Sequence, residues 1–263
     1  MEELTIIKLG GSVITDKSKP LTAKREAIRR LGREIITSKY KGKLIITHGS
    51  GSFGHSVAKK HKTAEGHNGK RSLRGMVLTS SVAIEINRIV MEEFIKLDMM
   101  VKSFTPSSFI ISKNKKFSKG FIDPIKHTLK SDVVPVVFGD VVMDLERGFC
   151  IFSAEKVVKY MVNSLQKKYN IASIIYCTDT EGVYDEKGVT IPEITSKNFK
   201  DVKKQIGKSG SADVTGGMIH KVEESLKLAK KYGFEVKIIN GNKKDNLKKV
   251  LGGKAVKATK IVS

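Results

Sequence analysis

Short apolar runs recur along the chain, separated by stretches whose apolar residues fall at helical spacing. Leu4–Leu9, Leu44–Thr47, Met99–Phe104, Val133–Phe138, Ser173–Thr178 and Phe234–Ile239 are brief and almost continuously apolar, which predicts buried, mostly parallel strands. Ala23, Ala27, Ile28, Leu31 and Ile35 keep a helical repeat behind Thr22, the candidate N-cap. Leu73–Leu97 predicts a longer helix, with Val77, Ile84, Phe94 and Ile95 among its apolar positions, and Ala154–Tyr169 and Gly216–Tyr232 predict two more. Strands alternating with helices imply crossover connections and three layers. The rhythm breaks at Val141–Met143, a polar turn over Asp144–Gly148, and Phe149–Phe152, which together predict an antiparallel hairpin. The expected fold class is α/β: an open αβα sandwich with a mainly parallel central sheet and an added antiparallel hairpin. A composition break near residue 170, with no linker to mark it, predicts one domain of two lobes, 1–170 and 171–263.

Composition narrows the class. With 40% hydrophobic and 29% charged residues the chain is an ordinary globular one, and no run approaches the ~20 apolar residues of a membrane span. Met1-Glu-Glu-Leu4 leads straight into a strand, so no secretory signal is expected. Cys150 and Cys177 have neither metal-type nor redox spacing, and a cytoplasmic protein is the expectation. The net charge of +22 attracts anions in general, but lysines recur in nearly every segment (59–62, 113–119, 197–208, 227–231, 243–249) without interleaved aromatics. Such a distribution favours solvated helix exteriors over a nucleic-acid stripe. Neither a nucleic-acid nor a membrane partner is expected.

The candidate chemistry lies where strands end. Lys8-Leu-Gly-Gly-Ser12, with Lys17 five residues on, offers a cation and bare backbone N–H groups to one point, which is how a chain grips a polyphosphate. A Gly-Gly pair after a strand is otherwise only a tight turn; the flanking lysines tip the reading toward an anion site. His48-Gly-Ser-Gly-Ser-Phe-Gly-His55 repeats the design after the second strand and formally contains a dinucleotide fingerprint. The acidic residue that fingerprint needs is missing, since the chain runs Gly66-His-Asn-Gly-Lys-Arg71 there, yet a glycine turn entering a helix remains an anion site. His55 falls at the start of that helix as a ligand, while His48 is expected to be packed. Gly207-Lys208-Ser209 lacks the upstream glycine of a phosphate loop, with Val202 in its place, and reads as a polar loop. Asp213-Val-Thr-Gly-Gly-Met-Ile-His-Lys221 puts a third glycine pair at a helix entrance, with Asp213 or Thr215 as cap and Lys221 one turn inside. Thr178-Asp-Thr-Glu-Gly-Val-Tyr184 follows a strand, where Asp179 can meet a nucleotide. Two cradles on neighbouring strands predict a phosphoryl donor and acceptor, hence a phosphotransferase. Catalysis then consists of placing lysines, amides and Mg²⁺ around the transferring group.

Taken together, Lys-x-Gly-Gly-Ser, the second glycine loop, Thr-Asp-x-x-Gly-Val-Tyr and Asp-Val-Thr-Gly-Gly-Met-x-x-Lys resemble the amino acid kinase family, over nearly the whole chain. Within it, Gly-Ser-Phe-Gly-His55 and Ile14-Thr-Asp-Lys17 are similar to the branch whose acceptor is isopentenyl phosphate. The resemblance implies an αβα sandwich, usually homodimeric, that moves the γ-phosphate of ATP to an acidic acceptor with Mg²⁺. It implies ATP binding by Lys8, Gly10, Gly11, Ser12, Gly51, Asp179, Tyr184, Gly217 and Lys221. Lys17, with Lys8, His55 and Lys221, falls on the catalytic positions, and Ser50, Gly54, His55, Ala154 and Glu155 fall on the acceptor side. No resident metal ligand is implied. The isoprenoid tail needs an apolar pocket, for which Met76, Val77 and Ser80 on the long helix are candidates. Three departures stand out: Ser50 for a glycine, Ser153-Ala-Glu-Lys156 for Ser-Gly-Asp-Asp, and Ala258 for the glycine before Thr259. They leave open a phosphonate such as fosfomycin, or another small monophosphate, as acceptor, and the basic surface leaves open a non-catalytic relative that binds nucleotide or RNA.

Overall fold

The computed structural model describes residues 1–208 and 215–263. In chain order the strands are β1 (Glu3–Leu9), β2 (Lys43–His48), β3 (Val101–Phe104), β4 (Ile110–Lys113), β5 (Lys116–Gly120), β6 (Val134–Phe138), β7 (Asp140–Asp144), β8 (Gly148–Phe152), β9 (Asn170–Thr178), β10 (Glu193–Ile194), β11 (Glu235–Asn240) and β12 (Ala258–Ile261). The helices are α1 (Gly11–Ile14), α2 (Arg25–Thr37), α3 (Gly51–His61), α4 (Lys70–Ile95), α5 (Asp123–Lys130), α6 (Ala154–Leu165), α7 (Phe199–Lys208), α8 (Thr215–Tyr232) and α9 (Asn246–Leu251).

Eight strands form the central sheet in the order β10-β12-β11-β9-β1-β2-β6-β3, parallel throughout except for β11 against β12. The chain leaves β1 toward β2 on one side and later returns to β9 on the other. The crevice at the carboxyl end of β1 is therefore the switch point where open α/β sheets take ligands. Two apolar cores flank the sheet. One joins Leu4, Ile6 and Ile174 to α6 and α8; the other joins Ile7, Leu9 and Ile175 to α2, α3 and α4. All six predicted strands and the hairpin are present, so the αβα class holds.

Several boundaries and elements differ from expectation. The predicted hairpin is β7–β8, but it belongs to a separate four-stranded sheet, β5-β4-β7-β8, whose first two strands are short and mostly exposed. β5 is polar and lysine-rich, and the four residues of β4 are too few for their alternation to announce a strand. Thr22 is not a helix cap: α2 begins at Arg25 after Lys24, and the Thr22 carbonyl accepts from the Asp16 N–H at 2.9 Å in a turn. The edge strand β10, its neighbour β12 and the short helices α5 and α9 also fall outside the predicted runs. Asp213, one of the two candidate caps of α8, and Ser209 lie outside the described residues.

Candidate active site

The site begins with an alternation on β1. Leu4 and Ile6 point to the α6 side of the sheet, and side chains two apart share a face, so Lys8 points there too. Lys8 is only 7% exposed and donates from Nζ to Glu155 Oε1 at 2.9 Å. Glu155 stands in the first turn of α6, behind Ser153, whose side chain accepts from the Lys156 N–H. Lys8 sits opposite Tyr176 on β9, and Lys221 of α8 places its Nζ 5.8 Å from the Tyr176 ring centroid. Two lysines and one carboxylate thus share a buried corner at the end of β1. Burial pushes the Glu155 carboxyl up, but the Lys8 and Lys221 ammonium groups outweigh it and hold it at about 2. Burial and the Lys8 charge push Lys221 down to about 8, against Glu155 and Asp179, which favour its protonated form.

Glycine makes the second wall. Gly10 donates its N–H to the Cys177 carbonyl at 2.8 Å, and a Cβ there would lie 2.6 Å from that oxygen. Gly11 lies so close to Gly51 that a Cβ would come within 2.6 Å of the Gly51 Cα. Gly51 itself has φ +50, in the left-handed region, and a side chain there would collide with Thr15 Oγ1. The Thr15 hydroxyl also accepts from the Ser52 N–H at 3.0 Å, which ties the start of α3 to α1. These contacts bring the two glycine loops together and aim the N-terminus of α3, with its partial positive charge, at the lysine corner.

A cleft of about 270 Å³ opens between these walls. Lys8, Gly11, Gly49, Ser50, Gly51, Gly54, His55, Ala154 and Glu155 line its polar end. Ala58, Thr79, Ala83, Val141 and Ile151 supply most of the rest, so one compartment combines charged and glycine-rich walls with largely apolar ones. His55 is exposed at its edge, while His48 is fully buried, bonded to Asn87 at 3.1 Å and stacked on Phe138, as expected of a packed histidine.

Other predicted residues stand at the mouth. Lys17, on the loop after α1, donates to Asp179 Oδ2 at 3.2 Å. Burial raises the Asp179 carboxyl, but Lys17 overrides this, with the Ser12 hydroxyl contributing, and the net shift is down. Asp179 therefore meets a lysine in this structure. Tyr184 folds back on its own turn, its hydroxyl accepting from the Glu181 N–H at 3.0 Å. Gly217 is exposed near the start of α8, with open space where a Cβ would stand.

The structure also accounts for two of the three departures and for one misplacement. Ser50 turns its side chain toward Gly54, where a Cβ would collide with Ser50 Oγ, so the space over Gly54 absorbs the added hydroxymethyl group. Ala154 is the first residue of α6, a conformation that needs no glycine. Lys156 leaves the site altogether and donates to the Lys115 carbonyl at 2.8 Å, tying α6 to the β4–β5 turn. The long helix does wall the cleft, but through Thr79 and Ala83. Val77 is 59% exposed, and Ser80 donates to Asp140 at 2.8 Å. Gly139 and Asp140 also line the cleft, and a glycine ending the apolar run Val133–Phe138 is the same signal in the sequence as Gly10 and Gly49.

A lysine corner and a glycine-walled helix N-terminus meet at the switch point of an αβα sandwich, an arrangement whose chemistry suits two facing anions. The chain belongs to the amino acid kinase family, whose model matches residues 3–240. Within that family it is similar to the isopentenyl phosphate kinase of Methanocaldococcus jannaschii, at 35% identity over 270 residues and 98% of each chain. It is likewise similar to the isopentenyl phosphate kinase of Methanothermobacter thermautotrophicus, at 32% identity and 98% of each. A solved isopentenyl phosphate kinase structure superposes with a TM-score of 0.83 at 30% identity, covering 98% of this chain and all of that one.

Proposed function

We propose that the protein transfers the γ-phosphate of ATP to isopentenyl phosphate, giving isopentenyl diphosphate and ADP. The observation that carries this reading is the single cleft that joins Lys8, the α3 N-terminus and His55 to an apolar wall. An acceptor phosphate fits over the Gly51–Gly54 turn beside His55, with its hydrocarbon tail against Ala58, Ala83, Val141 and Ile151. The ATP phosphates fit between the Gly10–Gly11 turn, Lys8 and Lys221. An acceptor oxygen attacks the γ-phosphorus in line, the bond to the β,γ-bridging oxygen breaks, and ADP departs with that electron pair. A phosphomonoester is already anionic, so no general base is required and His55 serves by orienting it. Lys17 would leave Asp179 to stabilise the transferring group.

A divalent ion fits this scheme as part of the nucleotide. Among the described residues no three His, Cys, Asp or Glu side chains converge as a metal cage, and Glu155 and Asp179 are both engaged by lysines. Mg²⁺ typically enters such sites on substrate phosphates, where it neutralises their charge. The lobe division follows the same logic: the cleft lining lies wholly within residues 8–155, which supports 1–170 as the acceptor half, and Lys221, Asp179 and Tyr184 belong to the nucleotide half. A homodimer through α4 is consistent with Leu73, Val77, Ile84 and Ile95, which are exposed and lie within about 40° of arc on one helix face. No helix among the described residues is long and apolar enough to cross a membrane, and we place the enzyme in the cytoplasm.

The test is ADP release from ATP with isopentenyl phosphate, fosfomycin, other small monophosphates or no acceptor. Isopentenyl phosphate is expected to give the highest kcat/KM. A higher value with fosfomycin, or none above the acceptor-free rate, would overturn the assignment.

A further inference from the structure

A dense band of positive charge lies outside the site, where α3 ends and α4 begins. Residues 59–74 carry Lys59, Lys60, Lys62, Lys70, Arg71 and Arg74 against one acid, Glu65. That net +5 in 16 residues compares with +22 in the whole 263, several times the average density, and all six cations are exposed. Helical spacing sets where they stand. Gly51, His55 and Lys59 form one i, i+4 row on α3, and the first two line the cleft. Arg71, Gly75, Thr79 and Ala83 form another on α4, and the last two line it. Lys59 is thus about 6 Å of rise beyond His55, and Arg71 about 12 Å beyond Thr79.

The connection between the helices is held in place. Thr63 and Thr79 share a buried hydroxyl hydrogen bond of 3.0 Å, the Asn68 N–H donates to Ser72 Oγ at 2.7 Å, and Arg147 Nη2 donates to the Glu65 carbonyl at 2.6 Å. A fixed band of like charge placed beyond the lining residues on the two helices that wall a cleft raises the local concentration of anions near it.

We propose that this band is an electrostatic funnel for the phosphorylated acceptor. It raises capture at the acceptor end of the cleft without touching the transferring phosphoryl group. The inference rests on the acceptor assignment above. The test is the triple variant Lys59→Gln, Lys62→Gln, Arg71→Gln, with Lys248→Gln, Lys249→Gln, Lys254→Gln on and after α9 as a charge-matched control. At ~10 mM salt, where screening reaches only beyond about 30 Å, the funnel variant should lose about fivefold in kcat/KM for isopentenyl phosphate. The loss should shrink below about twofold at ~300 mM, with kcat and the KM for ATP unchanged. An equal loss in the control, a loss independent of salt, or none at low salt would overturn the proposal.

Binding of inorganic phosphate, followed by the His55 NMR signals, separates this from failure of the acceptor assignment. If wild type does not turn over isopentenyl phosphate, that assignment has failed, and the funnel still predicts weaker phosphate binding by the triple variant at low salt. Unchanged phosphate binding would overturn it. Lost binding to phosphatidylserine vesicles with intact acceptor kinetics would also overturn it, making the band a membrane-docking surface.

Discussion

Two lysine–carboxylate pairs flank the same cleft and differ chiefly in burial. Lys8 and Glu155, with side chains 8% and 30% exposed, meet beneath the glycine turns. Lys17 and Asp179, at 55% and 43%, meet in solvent across the mouth. In the first pair low local polarity strengthens every charge interaction, and the partners come from a central strand and a helix start that packing holds still. In the second, water screens the attraction and both partners sit on loops, so the pair is a weak tether that ligand phosphates can displace. The same residue types thus make a fixed electrostatic floor in one place and an adjustable arm in the other.

Substitutions at the two pairs should separate these roles. The largest effect is expected for Lys8→Met, with a drop of about 10³-fold in kcat and an unchanged melting profile, since the floor loses its central cation. A large loss of stability would instead mark Lys8 as structural. Next in size is a carboxylate remote from the cleft. Glu93 is fully buried and bonded by Arg25, Arg29 and Lys96. Glu93→Ala should cost about 2 kcal/mol in denaturant unfolding and leave kcat intact, because it removes the buried carboxylate that accepts charge-assisted hydrogen bonds from three partly exposed cations, without touching the site. Burial raises this carboxyl, but the arginines and Lys96 outweigh that and bring it from 4.5 to about 2. A depressed folded-state value means its stabilisation is complete above about pH 4.5 and disappears as pH falls through 2. Wild type should therefore lose stability across that window more steeply than the variant.

Glu155→Gln should reduce kcat about 30-fold, with Glu155→Asp partly restoring it, because the floor keeps its cations but loses the group that orients them. It should also change the pH profile. Lys221 acts as an ammonium, so kcat should fall as pH rises through about 8, and loss of the carboxylate that favours its protonated form should move that limb to lower pH. A limb that stays in place would separate Lys221 from Glu155. The smallest effect is expected for Asp179→Ala, under about 1 kcal/mol in stability by chemical denaturation. Its mark should be a change in KM for ATP; a stability loss like that at Glu93 would end the contrast between the pairs.

Much of this was legible in the residues. The six apolar runs mapped onto the central sheet because strands buried on both faces leave an almost unbroken apolar signature. Lys8, Gly11, Gly51, Gly54 and His55 were found because glycine at a strand end has few uses other than close backbone approach. Thr79 and Ala83 were missed because the apolar surface of α4 is continuous, and sequence does not say which part faces a cleft and which faces outward. The second sheet was half missed because β4 is only four residues long and β5 is polar.

The order of amino acids by itself determined which segments are buried, where backbone must pass without a side chain, and which cations stand at strand ends. Those properties are local, written in periodicity and in the absence of Cβ atoms. Only the tertiary structure decided that Glu155 lies against Lys8, that Ser50 turns toward Gly54, and that Lys156 leaves the site for a hairpin turn. Such pairings join residues up to 147 positions apart, and their geometry comes from how strands and helices stack.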